Sequence, residues 1–187
     1  MVERTEYLDL VDPPSRLITH PDDVDNPILA FFLSKWRNAP KLGRLPLNTE
    51  IAADVTSSLN EWIAVANALD EYKDFRFGFV GSRLSAYFGG GSRGKTLSEV
   101  FSSLAPRNLE VAISLYRRTC TEELPIRVTA PKGQVNGLNY ADFDALYLPY
   151  AGARGKAETV LSVFTFNYEA FLASRWIGTL FSADGER

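Results

Sequence analysis

WIAVANALDEYKDFRFGFV, residues 62–80, decides the fold. Trp62, Ala64, Ala66 and Ala68 alternate with Ile63, Val65 and Asn67, the two-residue period of a strand with one face turned inward. Asp70-Glu71-Tyr72-Lys73-Asp74 follows as a polar turn, after which Phe75, Phe77 and Phe79 alternate with Arg76, Gly78 and Val80. Two alternating runs joined by so short a turn form an antiparallel hairpin. Strict alternation puts the three phenylalanines on one face and Arg76 on the other.

Outward from the hairpin the period changes. Residues 82–88 read as a short helix closed by Gly89-Gly90-Gly91. Thr96 caps a second helix over 97–104, with Glu99 at the reciprocal capping position. Pro106 opens a third that runs to about Cys120 and carries Leu109, Ala112, Ile113, Tyr116 and Cys120 on one face. Strand patterns return over 124–130, 139–150 and 158–168, separated by glycine-containing loops. Upstream, Asn26-Pro27 opens a helix with the stripe Ile28, Leu29, Phe32, Leu33 and Trp36, stopped by Pro40 and Gly43. The expected organisation is an extended acidic arm over 1–25, an α+β domain over 26–168, and a C-terminal helix with tail over 169–187.

Composition excludes several classes. The chain has 187 residues, with 20 Lys+Arg against 23 Asp+Glu and a net charge of −3, so there is no basic excess of the kind a strongly cationic nucleic-acid binder carries. One cysteine, Cys120, forms no intramolecular disulfide, and near a helix end it reads as a small buried apolar residue. No run approaches the ~18 apolar residues of a membrane span, and a cytoplasmic location is expected. Phe, Trp and Tyr make up 12% of the chain and divide into a strand set, a helix set and a set on the two terminal helices.

Gly89-Gly90-Gly91-Ser92-Arg93-Gly94-Lys95-Thr96 matches GxxxxGK[ST], in which loop N–H groups cradle phosphates, the lysine reaches the terminal ones and the hydroxyl binds Mg²⁺. The context argues against a P-loop. The segment follows a short helix rather than a buried parallel strand, and no later apolar run ends in an acidic metal ligand. Other catalytic sets fare no better. His20, the only histidine, sits in the proline-rich arm, and Asp142 and Asp144 read as solvent-facing strand carboxylates. No enzymatic mechanism is expected.

The element order, a hairpin, a helical middle and three antiparallel strands, resembles that of PAS sensor domains. Residues 26–168 also resemble a bacterial subgroup of short PAS-like proteins. The matching features are Trp36 on the N-terminal helix, Pro46 in the loop after it, Phe75-Arg76-Phe77, the Gly81-Ser82 step and the Gly94-Lys95-Thr96-Leu97 turn. Ser82 replaces a threonine of that pattern, and Gly89-Gly90-Gly91 is an insertion relative to it. The resemblance implies a five-stranded antiparallel sheet with helices across one face, enclosing space for a small molecule. It also implies a sensor or regulatory role, with signals leaving by protein contact. Neither the Asn-Cys-Arg helix motif of flavin-adduct members nor the helical axial histidine of haem members is present, so the cofactor stays unknown.

On this reading the ligand-binding residues are Arg76, as a candidate carboxylate anchor, and Tyr87, Phe88, Tyr116, Tyr147 and Phe164 as aromatic lining. The bland reading of the aromatics is ordinary core, and that of Arg76 a solvent-facing side chain. The apolar stripes of the two terminal helices either cap the sheet or join two copies in a homodimer. Two other functions are a ligand-free interaction module and a P-loop nucleotide binder using residues 89–96.

Overall fold

The computed structural model describes residues 15–17, 24–56, 59–88, 90–102, 106–130, 133–135, 138–140 and 143–166. The expected C-terminal helix, His20 and Asp142 lie outside them. In chain order the elements are β1 (Ser15–Leu17), α1 (Pro27–Asn38), β2 (Lys41–Leu42), β3 (Leu45–Pro46), α2 (Ala52–Val55), β4 (Ile63–Leu69), β5 (Asp74–Val80), α3 (Ser82–Tyr87), α4 (Leu97–Val100), α5 (Pro106–Glu122), β6 (Ile126–Ala130), β7 (Gly133–Val135), β8 (Leu138–Tyr140), β9 (Phe143–Ala151) and β10 (Ala157–Phe166).

β4 and β5 form the expected hairpin and belong to an antiparallel sheet of order β1-β6-β9-β10-β4-β5. Five of these strands are the anticipated set. The sixth, β1, comes from the arm and pairs Ser15, Arg16 and Leu17 with Val128, Arg127 and Ile126. The long strand expected over 139–150 is divided. β8 folds back on β7 as a separate hairpin, and β9 alone joins the main sheet.

The simple alternation of the hairpin fails at one residue. Val65 pairs with Phe79 and Ala66 with Phe77, which leaves Gly78 unpaired as a β-bulge. Directly opposed residues share a face, so Phe79 follows Val65 to one side while Phe75 and Phe77 stay on the other. The polar turn is also unusual. Asp70, Glu71 and Tyr72 have φ of 44°, 56° and 70°, a left-handed turn costly for residues with a Cβ. It is held by Tyr72, whose hydroxyl donates to Ala157 O (3.0 Å) and whose carbonyl accepts from Arg117 Nε (3.1 Å).

Helices cover both faces of the sheet. α5 crosses β10, β9 and β5, and α1 crosses β9 and β10. Hydrogen bonds fix the sides: Tyr116 on α5 meets Ser162, whereas Asn26 at the head of α1 donates to Thr165 (2.8 Å), three residues on and therefore opposite. Asn26 Oδ1 accepts from the N–H groups of Ile28 and Leu29, and Pro27 occupies the first turn, as the sequence led us to expect. Leu29, Phe32, Leu33 and Trp36 are buried against the chain's own sheet. In this chain the α1 stripe is therefore a cap, and it is not free for a second copy.

Candidate functional site

On the face beneath α5 the aromatic residues form a string. Phe75 lies 5.3 Å from Tyr116 between ring centroids, Tyr116 5.1 Å from Tyr147, and Tyr147 5.8 Å from Phe164. Phe164 continues to Phe88 (6.0 Å), which meets Phe77 (5.6 Å) and Phe101 (5.2 Å). Most contacts are edge-to-face, the arrangement ring quadrupoles favour. Strand parity brings Phe75, Phe77, Tyr147 and Phe164 to this side, and the helices between β5 and β6 supply Phe88, Phe101 and Tyr116. Four of the six predicted residues, Phe88, Tyr116, Tyr147 and Phe164, thus converge.

Two do not join them by observation. Arg76 is exposed. Its neighbours Phe75 and Phe77 are fully buried on the α5 side, so the alternation that buries them turns Arg76 away. A carboxylate anchor at Arg76 facing the tyrosines is therefore corrected to a solvent-facing arginine. Tyr87 ends α3, and its side chain lies outside the described residues. Ser162, Phe75, Phe77 and Phe101 are partners that the candidate list left out. The signal for Ser162 was a polar residue at an inward position, between Val160 and Phe164.

The two tyrosine hydroxyls differ. Tyr116 is 3% exposed, and its hydroxyl lies 2.9 Å from Ser162 Oγ, which itself donates to Ala64 O at 3.2 Å. Ser162 has one proton, so Tyr116 donates to it. Tyr147 is 4% exposed, and its hydroxyl has no hydrogen-bond partner among the described residues. Burial pushes both phenols well up from their usual range, with Tyr116 adding to the effect on Tyr147. Both are neutral at physiological pH and act only through hydrogen bonds.

This difference sets an expected result. In the ligand-free protein, Tyr116→Phe costs about 1 kcal/mol, the net worth of a buried hydrogen bond, whereas Tyr147→Phe is close to neutral because it breaks no hydrogen bond to a described residue. Urea unfolding of both variants checks it, and equal losses would contradict the assignment.

Among the described residues no other constellation is chemically competent. The Cys120 thiol is 2% exposed, and burial with nearby Glu123 pushes its pKa up to about 12, so it is no thiolate nucleophile. Asp144 is held by Arg127 through Nε (2.9 Å) and Nη2 (2.6 Å), with Asp25 on the same guanidinium at 2.6 Å. An open groove of ≈ 780 Å³ at the ends of the β4–β5 and β9–β10 hairpins is lined by Asp70, Glu71, Arg154, Lys156 and Glu158, solvated surface charges with no common ligand geometry.

The glycine-rich segment is also accounted for. Gly90 N–H donates to Ser85 O, Gly94 N–H to Phe77 O and Lys95 N–H to Ser92 O, so loop donors that would cradle a phosphate are engaged within the chain. Phe77 N–H donates in return to Lys95 O, and this pairing closes the free edge of β5. Thr96 is a helix cap: its Oγ1 accepts from Glu99 N–H, and Glu99 accepts from Thr96 N–H. The expected turn between two helices is what the structure contains.

No protein-family model matches the chain, and no curated protein matches it. Solved structures do. The PAS domain of Bordetella pertussis BvgS aligns with a TM-score of 0.50 at 15% identity, over 72% of this chain and 97% of that one. An RNA-binding light-oxygen-voltage receptor aligns with a TM-score of 0.46 at 14% identity, over 78% of this chain and 40% of that one.

Proposed function

We propose that this chain, whose described residues adopt a PAS-like α+β fold, is a cytoplasmic sensor or regulatory module. In this reading it holds a small organic molecule between α5 and the aromatic side of the sheet and signals by protein contact. The observation that carries it is the continuous aromatic wall beneath α5, in which Phe88, Tyr116, Tyr147 and Phe164 meet ring to ring and two neutral phenols are held among apolar side chains. A ligand carrying one donor or acceptor on an apolar or aromatic body would match a wall of rings that bears tyrosine hydroxyls. No catalytic step is included, because the candidate nucleophile is an inert thiol and Asp144 is engaged by Arg127.

A ligand-free interaction module is the second reading, favoured by the unbroken ring-to-ring contacts from Phe75 to Phe88. With α1 folded onto the sheet, a homodimer through terminal helices would rest on the 169–187 segment.

Comparing native and denatured masses of the purified protein separates the readings. A small-molecule mass retained in the native protein and reduced in Tyr147→Phe supports the sensor. A native mass equal to the polypeptide or its dimer, unchanged by Tyr147→Phe, supports the interaction module.

A further inference from the structure

Two hairpin tips adjoin at one end of the sheet. The first joins β2 to β3 through Gly43-Arg44, with Leu42 opposite Leu45 and Gly43 at φ 69°, the glycine-first turn that suits a two-residue hairpin. The second joins β9 to β10 over residues 152–156, where Gly155 N–H donates to Gly152 O (3.0 Å) and Gly152 N–H to Lys156 O (2.9 Å). Leu47 bridges to Ala151, and a Cβ placed on Gly155 would stand 3.7 Å from Leu42 Cδ2, so the two tips are in contact.

Their charge runs against that of the chain. The net charge is −3, yet 41–47, KLGRLPL, and 151–157, AGARGKA, together hold Lys41, Arg44, Arg154 and Lys156 and no carboxylate. All four cations are exposed. Lys41, Arg44 and Lys156 form no ion pair with a described residue, Lys41 resting over the Trp36 ring, and Arg154 reaches Glu158 only at 3.4 Å. Glu158, Asp70 and Glu71 share the open groove on the flank of the second tip. Leu42, among the cations, is 44% exposed although Leu45 opposite it is buried, and only Phe31 among the described large apolar residues is as open.

We propose that the paired tips are a peripheral docking surface for an anionic lipid bilayer, with Leu42 entering the headgroup layer and Lys41, Arg44, Arg154 and Lys156 lying against its phosphates and carboxylates. A single leucine among four cations is too little apolar area for the core of a protein–protein interface, which is depleted in charge. The same composition suits an anionic bilayer. There each Lys or Arg near the surface raises affinity about fivefold, and an apolar side chain at the boundary adds to it. A nucleic-acid backbone offers phosphates but no apolar layer for Leu42. Gly43, Ala153 and Gly155 add little bulk, so the cations can approach a flat surface closely.

The test is co-sedimentation of the full chain with vesicles of equal parts phosphatidylcholine and phosphatidylserine, beside vesicles of phosphatidylcholine alone. At about 0.05 M KCl the protein is expected to pellet with the anionic vesicles only, and raising the salt to ~0.5 M releases it. Arg44→Gln combined with Lys156→Gln, which removes two charges and no ion pair, weakens binding about 25-fold, fivefold for each charge. Leu42→Ser weakens it several-fold. Arg154→Gln, beside Glu158, weakens it less than Arg44→Gln, and Arg93→Gln in the glycine-rich turn beyond β5 changes nothing. No binding to the anionic vesicles, equal binding to phosphatidylcholine alone, or binding unchanged in the double variant or in Leu42→Ser overturns the proposal. Polyglutamate bound more tightly than the vesicles, with the same dependence on Arg44 and Lys156, would assign the tips to an acidic polypeptide and overturn it too. The outcome is independent of the native-mass comparison, which reads the space beneath α5.

Discussion

Gly81→Ala is expected to lose about 3 kcal/mol of folding stability or more, the upper end of what overpacking costs. The cause is proximity, since Gly81 has φ of −62°, which any residue adopts. A Cβ built there would stand 2.1 Å from Asn60 O and 2.6 Å from the Glu61 carbonyl carbon and oxygen, all backbone atoms. Neither side can yield easily. Gly81 N–H donates to Ile63 O at 2.8 Å, and its carbonyl accepts from Ser85 N–H to start α3. The Gly81-Ser82 step thus lets β5 pass into α3 against the turn that precedes β4. Urea unfolding of Gly81→Ala beside Ser82→Ala, an exposed neighbour, is the measurement. A Gly81→Ala loss within about 0.5 kcal/mol, the range of ordinary surface changes, would contradict the close approach.

The second large effect is at Trp36. Trp36→Ala is expected to cost about 3–5 kcal/mol, as for large aromatic truncations in cores. The ring is 6% exposed, and its Nε1 donates to Pro149 O at 2.7 Å, tying α1 to β9. Lys41 Nζ stands 4.4 Å above the ring and adds a cation–π contact. Beneath α1 lie Leu146, Leu148, Leu161 and Val163, each 0% exposed, so loosening the helix opens apolar sheet to water. Trp36→Phe isolates the hydrogen bond and should cost about 1–3 kcal/mol, since it leaves a buried carbonyl unpaired. Unfolding curves combined with size-exclusion chromatography test both parts: the alanine variant should be destabilised and self-associate. A stable, monodisperse Trp36→Ala would show that α1 is not an integral layer.

What the sequence revealed were the features set by neighbours in the chain. Asn26-Pro27 announces α1 because capping is a contact across two or three residues, and Thr96 with Glu99 announces α4 for the same reason. The β4–β5 hairpin was legible from its period. The Gly78 bulge was not, because it depends on Val65 choosing Phe79 as its partner, and one inserted residue reverses every side chain beyond it. Convergence of Phe88, Tyr116, Tyr147 and Phe164 followed from helix and strand parity once the helices were placed over one face. Pairing of Lys35 with Asp54 had no local signature, since the two residues lie 19 apart on different elements and meet only when α1 docks. Strand β1 escaped for another reason. Three residues in a proline-rich acidic stretch carry no measurable period, and their pairing is dictated by the edge that β6 offers.

β9 presents two buried tyrosines, Tyr147 toward α5 and Tyr150 toward α1, three residues apart and so on opposite faces of one strand. A molecule held on the α5 side, as proposed, would be linked thermodynamically to the docking of α1 on the other: the factor by which either favours the other is returned in full. With the Trp36–Pro149 bond fixing α1 to the same strand between them, the sheet acts as a common partition.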